Sequence, residues 1–127
     1  MALPHILILD DEERIRDLLT QYLEDFDEFV VRGAHSGEQA LELLAGEPAD
    51  LAVVDMRLPG MSGTQFIREA RARGACRHFL VHTGSVDMVI SSELSELGLT
   101  SRDMFFKPAG ADAILARIRE RLARGDA

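Results

Sequence analysis

A chain of 127 residues with 46% apolar content is long enough for one domain around a single core, and no linker or repeat divides it. Its 22 acidic residues against 14 basic ones give a net charge of -8 and leave no basic stripe, which argues against direct contact with nucleic acid or an anionic membrane. The single cysteine, Cys76, excludes an internal disulfide, and the first apolar run is cut off by Asp10-Asp11-Glu12-Glu13, so neither a leader nor a membrane span is predicted and the expected setting is the reducing cytoplasm.

Ile6-Leu7-Ile8-Leu9 is a short, branched apolar run closed by two aspartates, the pattern of a strand buried on both faces of a parallel sheet. Ile15, Leu18, Leu19, Tyr22, Leu23 and Phe26 then recur at helical spacing, with Arg14, Arg16, Asp17 and Glu24 on the other face. Phe29-Val30-Val31 predicts a second strand, and Ser36-Gly37-Glu38-Gln39 is a capping box that opens a helix over Ala40 to Ala45. Gly46 and Pro48 stop it. Leu51 to Val54 is the third strand, ended by Asp55, and Leu58-Pro59-Gly60-Met61 is a loop. A second capping box, Ser62-Gly63-Thr64-Gln65, leads into a helix from Phe66 to Arg73 that Gly74 ends.

His78 to His82 predicts the fourth strand, followed by Thr83-Gly84-Ser85 and a helix carrying Met88, Val89, Ile90, Leu94 and Leu97, with Gly98 as its terminator. Met104-Phe105-Phe106 is a short fifth strand before Lys107-Pro108, and Ala111, Ile114, Leu115, Ile118 and Leu122 form the stripe of the last helix. Strand and helix thus alternate five times, which predicts an α/β fold: a parallel sheet with right-handed crossovers and helices on both faces.

In such sheets the functional crevice lies at the carboxyl ends of the strands, a rim that here gathers Asp10, Asp11, Asp55, Thr83 and Lys107. Carboxylates that close repel one another, and a hard divalent cation with oxygen ligands relieves them. An aspartate can also act as a nucleophile toward phosphorus, provided a metal and fixed donors neutralise charge on the phosphoryl oxygens. Each residue also has a plainer reading. An Asp-Asp-Glu run suits a helix N-terminus, and a lone threonine is usually a turn residue; the five together favour chemistry. His5, His35, His78 and His82 lack zinc spacing, His82 reads as a packed strand residue, and Cys76 reads as a loop or core filler.

These residues resemble the receiver domains of two-component response regulators, which accept a phosphoryl group from a histidine kinase. The likeness covers nearly the whole chain and is carried by Leu9-Asp10-Asp11-Glu12, by the ten residues from Val54 to Gly63, by Val81-His82-Thr83-Gly84 and by Lys107-Pro108. It implies a flavodoxin-like (βα)5 fold, doubly wound, with sheet order 2-1-3-4-5, and a single receiver domain over residues 1–127 without an output domain.

By the same resemblance Asp55 is the phosphoacceptor. Mg²⁺, with Mn²⁺ as a substitute, is held by Asp11, Asp55 and the backbone carbonyl of Arg57, with Asp10 acting through water. Lys107, Thr83 and the backbone amide of Met56 contact phosphoryl oxygens, while the Arg57 and Ser85 side chains line the mouth and tune the removal of the phosphoryl group by water. Lys107-Pro108 is a candidate cis peptide.

The implied partners are a sensor histidine kinase or a histidine phosphotransfer protein, and a downstream protein effector. A homodimer through the fourth-helix, fifth-strand and fifth-helix face is a further expectation. The chain departs from the family in one place: the usual switch Tyr or Phe, three positions before the lysine, is Met104, and Phe105 and Phe106 follow it. The stretch between Thr83 and Lys107 is also longer than the family's, with Gly98 to Asp103 as the place of the extra length. Two other readings stand beside this one. A phosphatase of the aspartate-nucleophile type would need an Asp where Arg57 stands, and a degenerate receiver would be a phosphorylation-independent interaction platform. The leading expectation is a signalling domain and not an enzyme, with self-catalysed phosphorylation and dephosphorylation.

Overall fold

Side chains alternate across a strand, so an unbroken apolar run needs cover on both faces. The computed structural model, which describes residues 2–84 and 91–123, meets that need with five parallel strands between two helical layers. The strands are β1 (His5–Leu9), β2 (Val30–Ala34), β3 (Ala49–Val54), β4 (Cys76–Thr83) and β5 (Met104–Phe106), in the order β2-β1-β3-β4-β5. Leu7, Leu9, Ala52, Val54, Phe79 and Val81 face one layer. That layer is α2 (Gly37–Gly46), α3 (Gly63–Ala72) and α4 (Ser92–Glu96), which bury Leu41, Leu44, Phe66, Ile67 and Leu94 against the sheet. Ile6, Ile8, Leu51, Val53 and Leu80 face the other, where α1 (Glu13–Glu24) and α5 (Ala111–Ala123) contribute Leu19, Leu23, Ile114, Leu115 and Ile118. The sheet order is the one the resemblance implied.

Local signals place the helix starts. Ser62 and Gln65 form a reciprocal capping box at α3. At α2, Ser36 accepts from the Gln39 amide at 3.1 Å, but the Gln39 side chain reaches one residue further back, to the His35 amide at 2.8 Å. Gly74, at φ +66°, ends α3 in a conformation that disfavours a Cβ.

The described part of the fourth helix starts at Ser92, where the Ser91 hydroxyl caps the Leu94 amide, and it holds Leu94. Met88, Val89, Ile90 and Ser85 lie outside the described residues. Two expectations need correction. Leu18 and Phe26 are on the predicted apolar stripe, yet Leu18 is 65% exposed and Phe26 40%. The stripe is wider than the sheet and α5 can cover. Phe26 instead stacks edge-on against Tyr22 and lies under the Arg119 guanidinium, 5.1 Å from its ring centre. Finally, β4 begins at Cys76 and not at the predicted His78, so Cys76 is a buried strand position and not a loop residue. Its thiol donates to the His78 carbonyl, and burial pushes its pKa up to about 12, which suits a core filler.

The long stretch before β5 folds into a 3-10 turn over Ser101–Asp103, closed by a Thr100–Asp103 capping box. No helix among the described residues is long and apolar enough to cross a membrane.

Candidate functional site

Parallel strands in register end together, and their last residues therefore form one rim. Leu9 pairs with Val54, Val54 with Val81, and Thr83 with Phe106, so Asp10, Asp55 and Lys107 follow neighbouring strand ends and Thr83 is itself the last residue of β4. The Asp55 amide donates to the Leu9 carbonyl at 2.9 Å, and the Lys107 amide to the Thr83 carbonyl at 2.8 Å. The Lys107-Pro108 bond is cis, as the resemblance implied.

Oxygens of Asp10, Asp11 and Asp55 lie within 4.8 Å of one another. Asp10 and Asp55 are buried and Asp11 is exposed, so the cluster opens to solvent on one side. The Lys107 ammonium reaches Asp10 at 2.9 Å, Glu12 at 3.0 Å and Asp55 at 3.2 Å. The lysine is thus shared among three carboxylates and lies nearest Asp10. One ammonium cannot balance four carboxylates at this range, and the surplus negative charge favours a cation. The donors are all carboxylate oxygens, which fits a hard ion such as Mg²⁺ and not a soft metal.

The pKa directions express the same imbalance. Burial raises Asp55, and Asp10 adds to the rise, while the Arg57 amide and Lys107 pull the other way. Burial lowers Lys107, but the hydrogen bonds it donates to Asp10 and Glu12 outweigh it and hold the ammonium charged well above its ordinary range.

The backbone after Asp55 is held tightly. The Arg57 amide donates to Asp55 Oδ1 at 3.2 Å, and the Gly63 amide closes the loop on the Met56 carbonyl at 3.2 Å. A Cβ on Gly63 would stand 2.5 Å from the Asp55 carbonyl oxygen and 2.8 Å from Met56 Cα, closer than atoms can come. Gly63→Ala is therefore expected to destabilise the fold by about 1–3 kcal/mol, as overpacking does, and to displace the acceptor loop. Urea unfolding measures the first effect. A variant as stable as the parent would show that the loop has room to shift.

Thr83 is fully buried at the end of β4. Met104 is half-buried, pairs with Val81 and packs on the α2–α3–α4 side of the sheet. Phe105 faces the opposite layer, and Phe106 is exposed.

Three participants were not singled out from the sequence. Glu12 supplies a third carboxylate to Lys107; its position beside the aspartate pair was the available signal. Arg16, read as an outer-face residue, donates to the Asp10 carbonyl at 2.8 Å and lies across Gly33, whose missing side chain leaves it room. Asp103 is wholly buried and paired with Arg117 at 2.8 Å, a contact that no local pattern announces.

With this geometry in view, comparison with known proteins defines the class. Residues 6–119 match the response regulator receiver domain, and the chain belongs to that family. It is 32% identical over 119 residues to the response regulator MprA of Mycobacterium ulcerans, covering 94% of this chain and 50% of that protein. It is 35% identical over 119 residues to the transcriptional regulatory protein FixJ of Azorhizobium caulinodans, covering 92% and 54%. The chain therefore spans about half the length of these relatives. Among solved structures, a CheY-like receiver domain from Methanospirillum hungatei superposes with a TM-score of 0.78 at 29% identity, over 97% of this chain and 96% of that one. The chemotaxis protein CheY4 of Vibrio cholerae shares the fold, with a TM-score of 0.79 at 23% identity over 94% and 98%.

Proposed function

We propose that this receiver domain accepts a phosphoryl group on Asp55 from a phosphohistidine of a sensor kinase or phosphotransfer protein, in the cytoplasm. The observation that carries the reading is the buried carboxylate pair, Asp10 and Asp55, both held by one lysine at the strand ends and clustered with Asp11. An Asp55 carboxylate oxygen attacks phosphorus, the phosphorus–nitrogen bond breaks, and its electron pair returns to the donor imidazole, leaving an acyl phosphate on Asp55.

Asp11, Asp55 and the Arg57 carbonyl would hold Mg²⁺ or Mn²⁺, with Asp10 acting through water. Bound there, the cation supplies positive charge against both the carboxylates and the phosphoryl oxygens. Lys107 moves from its shared position to one phosphoryl oxygen. Thr83 and the Met56 amide take the others, and the Arg57 and Ser85 side chains govern access of water. Loading then shifts the equilibrium of the α4–β5 surface toward a form that binds a protein effector or a second copy through α4, β5 and α5, with Met104 in the place of the usual aromatic.

Incubation with acetyl phosphate and Mg²⁺ is expected to place one acid-stable, hydroxylamine-labile phosphoryl group per chain. Absence of any Mg²⁺-dependent modification, with beryllofluoride also without effect on the amide spectrum, overturns the reading in favour of a phosphorylation-independent platform. Mg²⁺ alone is expected to raise stability by about 2.7 kcal/mol at one hundred times its dissociation constant. Asp11→Asn should remove most of that gain in a thermal melt, because one ligand charge is gone. A gain that survives in Asp11→Asn places the ion elsewhere.

A further inference from the structure

On the far side of Lys107 from α4, the described residues form a groove of about 350 Å³ between α1 and the start of α5. Ile15, Leu18, Tyr22, Pro108 and Ala111 give it apolar walls. Leu18 on its rim is, at 65%, the most exposed large apolar side chain among the described residues. His82 also lines the groove. It is only 5% exposed, and neither ring nitrogen has a hydrogen-bond partner. Buried polar atoms are nearly always paired, so a histidine left unpaired in the wall of an open groove points to a ligand that pairs it.

The chemistry of that ligand can be read from the walls. Burial and the neighbouring Lys107 charge push the His82 pKa down, so the ring is neutral and offers one donor and one acceptor. Lys107, the charged residue in the lining, is already engaged by Asp10, Glu12 and Asp55, so the walls offer an ionic ligand no uncommitted charge to pair with. The volume falls within the range of small-molecule sites, which combine apolar walls with few polar groups. We propose that the α1–α5 groove binds a small neutral molecule with a ring-sized apolar body against Ile15, Leu18 and Tyr22 and one hydroxyl or amide that hydrogen-bonds His82. The groove shares Lys107 with the carboxylate cluster, but the contacts proposed for the ligand are with Ile15, Leu18, Tyr22 and His82.

The probes are p-cresol, a ring with a hydroxyl, and toluene, the same ring without it. Each is titrated into the chain while the amide resonances of Ile15, Leu18, Tyr22 and Ala111 are followed. p-Cresol is expected to saturate with a dissociation constant below about 1 mM and to bind at least about tenfold more tightly than toluene, the discrimination one buried hydrogen bond gives. His82→Leu should retain toluene and lose that tenfold preference. Leu18→Glu, at an exposed position where folding is not at risk, should weaken both ligands. Equal affinity for the two probes, or an unchanged preference in His82→Leu, overturns the proposal. So does saturation only at tens of millimolar, which a dent shaped for a partner protein's side chain would give.

Discussion

Asp55→Asn is expected to reduce phosphoryl uptake from acetyl phosphate to background, a loss of more than about a thousandfold, because an amide oxygen is not a nucleophile toward phosphorus. The fold should survive, since the amide has the carboxylate's size and can still accept from the Arg57 amide. Stability supplies a second, independent readout. Burial holds the folded-state pKa of Asp55 above the ordinary 3.8, so the folded chain retains a proton that the unfolded chain has released. The stability this contributes is present below the unfolded pKa and lost as pH rises through the folded one. At neutral pH the ionised Asp55 therefore burdens the fold, and Asp55→Asn removes the burden. Without divalent cations the variant should melt above the parent at pH 7, with the difference closing as pH falls toward 4. A variant that melts lower at pH 7, or that is loaded normally, would show that Asp55 is not the strained acceptor described above.

Arg117→Met should produce the largest loss of stability. Asp103 is fully buried and accepts from Arg117 Nε at 2.8 Å and from the Thr100 amide at 2.8 Å, with Arg121 at 3.4 Å. Removing one partner of a buried ion pair costs about 3–5 kcal/mol, because the remaining charge is left in a low-dielectric site. Arg121 still reaches the carboxylate, so the expected loss is about 3 kcal/mol, or about 10 °C in melting temperature for a domain of this size. The exposed Arg102–Glu120 pair nearby sets the contrast: Arg102→Ala should cost less than about 1 kcal/mol. Urea unfolding of both variants measures the difference. Equal, small losses would mean that solvent reaches Asp103. The pair also has a place in the fold, since it ties the turn that leads into β5 to α5, next to Met104.

Much of this was legible beforehand. The β1 and β3 runs announced buried strands, because a parallel strand covered on both faces must be apolar at every position. Ser62 and Gln65 announced α3, because a capping box lies within four residues. Asp10, Asp11 and Asp55 announced a site, because each stands where an apolar run stops. Leu18 misled for the same reason: helical spacing shows which side of α1 is apolar, but not how much of that side a neighbour covers.

Periodicity, capping and strand-end chemistry are local properties, and by them the sequence by itself determined the order of elements, the two-faced sheet and the residues at its rim. Tertiary structure alone decided that Lys107 lies nearer Asp10 than Asp55 and also holds Glu12, 95 residues away. It decided that Asp103 is buried against Arg117, and that His82 lines a groove with both ring nitrogens unpaired. Those outcomes depend on distances of a few ångströms between distant elements, and electrostatic and desolvation energies change steeply over that range.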